Sequence, residues 1–294
     1  MGYRKSLKAK VKLAEPLKKH TSLRIGGPAK YFFEPASLSG LKSALTFARK
    51  EKVPILILGA GSNILAKDKG VDCSVIKIGQ AAFAGARPGK KRIEAGAGLK
   101  ISGLLNLAAR RGFSGAEFLA GIPGTIGGAL AMNASCRGRS IADIVEKVRV
   151  MDYNGRIKDI RKSKCGFGYR SSGIAKYIIL GALLKFHSGD KRAIRRKISG
   201  YLRQRKQTQD LSFPSAGCVF KNPKGKMPAG FLIDRCGLKG KGIGNARISD
   251  KHANFIINLG LAKAGDVLKL MALAKKEVKR KFNIVLEPEI KIWE

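Results

Sequence analysis

Cys218 lies in "SFPSAGCVFKNP", residues 212–223, the stretch of this chain best suited to carry chemistry. A glycine stands just before the thiol, Pro-Ser-Ala leads in, and Lys-Asn-Pro closes the segment. Such a cysteine is either a small buried side chain in a strand or a thiol held at the end of a turn and aimed at a ligand. Thiols have an ordinary pKa of about 8.5, so at neutral pH they are mostly protonated and can donate a proton. The other cysteines are Cys73, Cys136, Cys165 and Cys236. No pair has Cys-x-x-Cys spacing, which points away from a zinc site and from a disulfide framework. With only 3 histidines, far apart, no metal site is expected, and a reducing compartment fits.

Two glycine-rich stretches offer a second kind of chemistry. "ILILGAGSNIL", residues 55–65, has Gly59 and Gly61 but lacks the third glycine of a dinucleotide fingerprint, and no helical period follows. A nicotinamide-type Rossmann fold is therefore not expected. Small residues still let main chain approach a diphosphate, and successive N–H groups can form a nest for its oxygens. Gly59, Ala60, Gly61, Ser62, Asn63 and Ile64 are the candidates. The second stretch, "GIPGTIGGALAMNAS", places Gly121, Ile122, Pro123, Gly124, Thr125, Gly127 and Gly128 ahead of a small-residue helix. Together the two stretches suggest one extended diphosphate cofactor gripped at two places. A tight strand-to-loop turn is the plainer reading of the first.

These residues need elements to position them. "LSGLKSALTFARKEK" has the period of an amphipathic helix, and "VPILIL" reads as a buried strand. "KISGLLNLAARRG" is a helix stopped at Gly112. "KVRVMDYNGRIKDI" predicts a hairpin with a type I′ turn at Asn154-Gly155. "YIILGALLKF" reads as a further strand, followed by a basic helix from about Asp190 to Gln207. After it come short strands at "AGCVF" and "ANFIINLG", a short helix at "AGFLIDRCG", a long helix at "AGDVLKLMALAKKEVKRKFN" and a final strand at "IVLEPEIKIW". The change in pattern puts a domain boundary near residue 195.

Composition narrows the class. The chain has 294 residues, 44% of them hydrophobic, enough for large cores. No apolar run is long enough to span a bilayer, and no secretory leader is read, so the cytoplasm is expected. "MGYRKS" fits only a loose acylation pattern. Lys plus Arg number 59 against 20 Asp plus Glu, a net charge of +39. Such a field attracts phosphates, nucleic acid and anionic surfaces. The excess is spread along the chain, however, and no aromatics interleave with it. No nucleic-acid or membrane partner is expected, and the charge suits a polyanionic small ligand.

At this point the chain resembles the UDP-N-acetylenolpyruvoylglucosamine reductase family, in its shorter class. The pieces that carry the resemblance run nearly end to end: "HTSLRIGGPAKYF", "LGAGSNIL", "AGAGLKISGLLNLAARRGFSGAEFLAGIPGTIGGALAMNA", "FGYRSS", "SAGCVFKNP", "AGFLIDRCGLKG", "ISDKHANFIIN" and "LEPEIKI". The resemblance implies an α+β fold. An FAD-binding domain of the vanillyl-alcohol-oxidase type would occupy residues 1–194, in subdomains of about 1–80 and 81–194. A substrate-binding domain would occupy 195–294, with the last strand, about 284–294, a candidate to return to the FAD domain. It implies a monomer with FAD as cofactor and NADPH as hydride donor. The reaction would reduce the enolpyruvyl ether of a UDP-sugar in peptidoglycan precursor synthesis, with hydride to C3 and a proton to C2.

Roles follow by motif position. Arg170 of "FGYRSS" would hold the substrate carboxylate and the charge that develops on it, a task suited to a planar fork. Glu289 of "LEPE" would stand near the reacting carboxyl as proton donor or orienting group. Cys218 stands where the family usually has serine, as the acid for C2. Lys206 and Asn222 would contact the UDP part, with Lys221 a neighbouring candidate and Lys224 and Lys226 solvated. His252 reads as structural or peripheral, and Tyr169 as packed beside the flavin or substrate. The segment "MNASCRGRS" departs from the family pattern at Cys136 and Arg137. The alternatives are an FAD-dependent oxidase of the same fold acting on an alcohol or sugar, and a non-catalytic basic protein binding RNA or anions.

Overall fold

A computed structural model describes residues 10–79, 81–225 and 227–294; the acylation pattern at the start and Lys226 lie outside the described residues. The chain forms two compact units. One comprises residues 10–13, 31–60 and 73–204, the other 14–30, 61–72 and 205–294. The division thus differs from a single break near 195: two N-terminal segments join the C-terminal unit. The cause is burial. Leu23, Ile25 and Leu65 share an apolar core with Leu232, Leu270 and Val278, and nothing local in the sequence announces those distant partners.

In the first unit, Ile55–Leu58 pairs in parallel with Val71–Lys77, Ile55 opposite Ser74 and Leu58 opposite Lys77. Helix α1 (Leu38–Lys50) starts where the Ser37 hydroxyl accepts from the Gly40 amide at 3.0 Å, an N-cap that satisfies one orphan donor. It buries Leu41, Leu45 and Phe47. Helix α2 (Ile101–Arg111) ends at Gly112, whose φ of 68° is the left-handed stop the sequence predicts. A five-stranded antiparallel sheet runs in the order Ile157–Arg161, Val145–Met151, Ile178–Lys185, Arg92–Gly96, Ala86–Pro88. Phe33, Phe47, Leu104, Val148 and Leu184 belong to the core of this unit, each fully buried or nearly so. Burying a side chain of this size contributes about 1.5–3 kcal/mol.

The expected hairpin is present, but its turn is longer than type I′. Met151 pairs with Ile157, leaving five residues in the loop, and of Asn154 and Gly155 only Gly155 has positive φ (85°). The Asp152 carboxylate accepts from the Asn154 and Arg156 amides at 2.9 Å each, and this aspartate turn replaces the two-residue solution. "VPILIL" forms a strand whose Ile55, Leu56 and Ile57 are only half-buried. Two more helices complete this part of the chain: the short α3 (Ile126–Ala131) and the basic α4 (Lys191–Thr208), within which the division between units falls.

The second unit has a four-stranded antiparallel sheet in the order Ser215–Cys218, Phe255–Asn258, Ala246–Ile248, Gly242–Ile243. Helices α5 (Ala229–Arg235) and α6 (Ala264–Phe282) contribute Leu232, Ile233, Val267, Leu270 and Met271 to its core. Asp68 caps α6 from outside, accepting from the Ala264 and Gly265 amides at 2.8 and 3.2 Å, where a carboxylate also suits the helix dipole. The final strand is shorter than "IVLEPEIKIW" suggests. The regular strand is Lys291–Trp293, in parallel with Ile64–Ala66 of the same unit. Upstream of it Pro288 makes only an isolated antiparallel bridge with Phe220, flanked by the Lys221 amide donating to the Glu287 carbonyl at 2.9 Å; a proline has no amide to extend such a ladder.

Candidate active site

In the first unit the expected cofactor residues fall in two places. Gly59 follows Ile55–Leu58, and a Cβ there would lie 2.9 Å from Thr125 Oγ1, so a larger residue would push on the hydroxyl that caps α3. Gly121 and Gly124, with φ of 83° and 137°, set the path of the second loop. Thr125 then caps α3 by accepting from the Gly128 amide at 3.4 Å. The first amides of α3 serve the protein itself: Ile126 donates to the Leu99 carbonyl at 2.9 Å and Gly127 to that of Ala97 at 2.8 Å. Gly127 is needed for this approach, since a Cβ would meet the Ala97 Cβ at 2.9 Å. Ala60, Pro123 and Gly128 are exposed, Ile122 half-buried. A side-chain-poor, accessible run of main chain beside Gly59 fits a flat diphosphate cofactor such as FAD. Among the described residues, Gly59, Ala60, Gly121 and Gly124 are candidates whose amides are not committed in this way, unlike the first turn of α3.

Gly61, Ser62, Asn63 and Ile64 belong to the second unit. Gly61 has φ of 66°, and a Cβ would sit 2.1 Å from the His20 carbonyl oxygen, so only glycine fits. The Asn63 amide nitrogen donates to the Glu289 carbonyl at 3.2 Å, and its own carbonyl accepts from the Lys291 amide at 2.9 Å. Ile64 lies in the strand opposite Lys291. In this unit Asn63 therefore anchors the chain that carries Glu289.

Arg170 sits at the tip of a two-residue-strand hairpin, Phe167–Gly168 against Ser171–Ser172. Its φ of 54° places a non-glycine residue in the left-handed region, which costs about 1 kcal/mol or more and is common where a side chain must be aimed. Nη1 donates to the Ser135 carbonyl at 3.1 Å and to the Ser135 hydroxyl at 3.0 Å. Tyr169 is 53% exposed, its ring 5.6 Å from the Arg170 guanidinium carbon.

Cys218 ends the strand Ser215–Cys218. The pairing shifts between Ser215 and Cys218, and Gly217 takes φ of 77°, so a glycine bulge turns the thiol out of the regular ladder. The half-buried Cys218 lines a cleft of about 250 Å³ with Asn222, Phe231, Asp234, Lys239, Lys251 and His252. Asn222 Oδ1 also accepts from the Ala229 amide at 3.0 Å, which fixes the loop to the start of α5. Glu289 comes to the same strand: its amide donates to the Val219 carbonyl at 2.8 Å, one residue beyond the thiol. The main chains carrying Cys218 and Glu289 are thus hydrogen-bonded neighbours although 71 positions separate them in sequence.

Other expected residues fall elsewhere. Lys206 is exposed on the last turn of α4 and does not line the cleft. Lys221 pairs with Glu287 at 3.1 Å, and Lys224 is exposed. His252, read from sequence as structural or peripheral, has both characters. Its Nδ1 accepts from the Asn254 amide at 3.2 Å and its ring lies 4.8 Å from that of Phe255, yet it forms part of the cleft wall. Burial first, with some help from Lys239 and Arg205, pushes its pKa below the ordinary 6.5, which keeps the ring neutral near pH 7. Lys239 and Lys251 were missed altogether. They line the cleft, which no local pattern marks, and Lys239 also bonds Asp234 at 2.8 Å. Among the described residues no group of three or more His, Cys, Asp or Glu could hold a metal ion, and no helix is long and apolar enough to cross a membrane.

Comparisons with known proteins identify the family. An FAD binding domain family matches residues 29–161, and the C-terminal domain of UDP-N-acetylenolpyruvoylglucosamine reductase matches residues 207–293. The UDP-N-acetylenolpyruvoylglucosamine reductase 2 of Symbiobacterium thermophilum is 41% identical over 97% of this chain and 92% of its own length. The enzyme of that name from Syntrophobacter fumaroxidans is 43% identical over 95% of this chain and 82% of its own. The crystal structure of the reductase from Thermus caldophilus matches with a TM-score of 0.82 at 38% identity, covering 97% of this chain and 99% of that one. The chain belongs to the UDP-N-acetylenolpyruvoylglucosamine reductase family, FAD-dependent oxidoreductases that use NADPH to reduce an enolpyruvyl group in peptidoglycan precursor synthesis.

Proposed function

We propose that this chain reduces the enolpyruvyl ether of a UDP-sugar with Cys218 as the proton donor, and that the cleft beside Cys218 receives part of the sugar nucleotide. The observation that carries the reading is the glycine bulge at Gly217, which delivers the thiol to a cleft also walled by Asn222, Lys239 and Lys251. FAD, held on the main chain of Gly59–Ala60 and Gly121–Thr125, supplies when bound the two-electron relay between NADPH and the double bond.

The protein's own task is to manage charge and a proton. Once hydride arrives at C3 of the substrate, the electron pair of the double bond collects at C2 and spreads into the neighbouring carboxylate. A guanidinium that bonds this carboxylate lowers the barrier most as the charge grows, which is the role proposed for Arg170. Cys218 gives its S–H proton to C2, completing the addition of one hydride and one proton, and the thiolate regains a proton from solvent. Glu289 orients the reacting carboxyl or donates to it; its main-chain bond to Val219 supports a place beside the thiol. Lys239 and Lys251 suit the negative oxygens of a diphosphate, and Asn222 orients the nucleotide. The proposal takes the protein as a monomer acting in the cytoplasm with no nucleic-acid partner.

A spectroscopic experiment tests this. Purified protein is expected to be yellow, to bleach anaerobically with NADPH, and to regain its flavin colour when the enolpyruvyl sugar nucleotide is added. A yellow protein that ignores NADPH and consumes oxygen with a sugar or alcohol would instead identify an oxidase. A colourless protein with salt-sensitive RNA binding would identify a non-catalytic anion binder.

A further inference from the structure

We infer that Ser135 is a positioning residue for the reduction, setting the direction of the Arg170 guanidinium. The inference rests on the reading of Arg170 as the group that holds the substrate carboxylate.

The Arg170 backbone is fixed independently of its side chain. The Asn133 amide nitrogen donates to the Gly168 carbonyl at 2.9 Å, and the Ser172 hydroxyl donates to the Ala131 carbonyl at 3.0 Å. These bonds tie both strands of the Arg170 hairpin to residues 131–133, at the end of α3. Asn133 is itself buried, and its Oδ1 accepts from the Ala142 amide at 3.3 Å, so the clamp is anchored on both sides. The hairpin therefore keeps its place without any help from Ser135.

An arginine fork on a long stem still has freedom about its last torsions. Two acceptors on one residue remove it: Nη1 meets both the carbonyl and the hydroxyl of Ser135. Hydrogen bonds from a charged donor are short and directional, and a planar fork fixed through one nitrogen has its plane largely determined. The carbonyl persists in every variant, whereas the hydroxyl can be removed alone. Ser135 pairs with Ser140 across a short antiparallel ladder, so its main chain is held as well. Removing the Oγ should thus loosen the guanidinium and leave the fold in place.

The experiment compares Ser135→Ala, Ser135→Thr and Arg170→Ala in the two half-reactions, read by stopped-flow absorbance, with thermal melting and a titration of substrate into the oxidised holoenzyme. For Ser135→Ala we expect reoxidation by the enolpyruvyl sugar nucleotide to slow by about tenfold, the scale of one charge-assisted hydrogen bond imperfectly made. Reduction by NADPH and the melting temperature should stay at wild-type values, and substrate affinity should change less than the rate. Ser135→Thr, which keeps the hydroxyl, should restore most of the rate. Placing Ser135→Ala on Arg170→Ala should add nothing. Ser135→Ala with wild-type reoxidation, beside a crippled Arg170→Ala, would overturn the inference alone. Equal losses in both half-reactions together with a lowered melting temperature would overturn it in favour of a purely structural role. An Arg170→Ala enzyme at the wild-type rate would overturn the reading of Arg170 and this inference with it.

Discussion

A thiol in place of a hydroxyl keeps the capacity to give a proton and makes it easier, because thiols are stronger acids than alcohols by several pKa units. Cys218→Ser is accordingly expected to retain activity, whereas Cys218→Ala, which has no proton to give, should lose roughly 10²–10⁴-fold in substrate reduction. Flavin reduction by NADPH, measured in the same enzymes, should be nearly untouched. Wild-type turnover by Cys218→Ala would refute the assignment. A thiol is also alkylated and oxidised where a serine is not. The setting of Cys218 was legible in the sequence because it is local: the glycine that makes the bulge and the asparagine that caps α5 lie within four residues of it. Lys239, Lys251 and Ser135 were not legible. Ser135 meets Arg170 35 positions on, and Lys239 and Lys251 reach the cleft of Cys218 only through the fold; no period or composition marks such neighbours.

Elements explain how those side chains come to be held. The segment leading into the glycine loop turns on Glu117, which is only 3% exposed and closes a short helical turn, Glu117–Leu119. Burial raises the cost of its charge, but bonds from the Ser114 hydroxyl at 2.7 Å and the Gly115 amide at 2.8 Å outweigh it and lower its pKa from the ordinary 4.5. A carboxylate with a lowered folded pKa stabilises the fold fully above its unfolded pKa, and the contribution is lost as pH falls through the folded value. Glu117→Gln should therefore be destabilised at pH 7, and its deficit should shrink as pH drops below about 4, near the unfolded glutamate value. Glu117→Ala, leaving a buried amide without its acceptor, should cost about 1–3 kcal/mol. Urea unfolding across pH measures both, and a Gln deficit constant from pH 7 to pH 3 would remove the carboxylate's charge from the account. The helices at this scale were readable from periodicity and caps: α1, α2, α4, α5 and α6 form where the pattern places them. The turn after Met151 and the extent of the final strand were misread. In the first case an aspartate side chain takes the backbone hydrogen bonds that propensity alone assigns to a ladder; in the second the segment before Lys291 turns to residues 219–221 and makes only one isolated bridge, at Pro288, which has no amide to extend it.

The whole molecule adds a field that no single residue explains. With 59 cationic and 20 anionic side chains, the acids are quickly committed. Asp159 alone bonds Lys147 and Arg149 at 2.8 and 2.9 Å, and those hydrogen bonds hold its pKa down to about 2. Helix α4 has no acidic residue in 18 positions and buries only Ile194, and its cations other than the half-buried Arg205 are exposed. Both NADPH and a UDP-sugar carboxylate are polyanions, and a positive surface raises their local concentration and encounter rate. Exposed charges act through a Debye length of about 30 Å at 0.01 M salt but only about 8 Å at 0.15 M. The KM for each polyanion should therefore rise several-fold across that range while kcat stays level, because the chemical step follows encounter. Replacing Lys191, Arg192, Arg195 and Arg196 by glutamine should flatten part of the salt dependence and leave kcat unchanged. Steady-state kinetics in sodium chloride decide the matter. A KM indifferent to salt would show that the excess charge does not recruit substrate, whereas a falling kcat would place the salt-sensitive step at the chemistry itself.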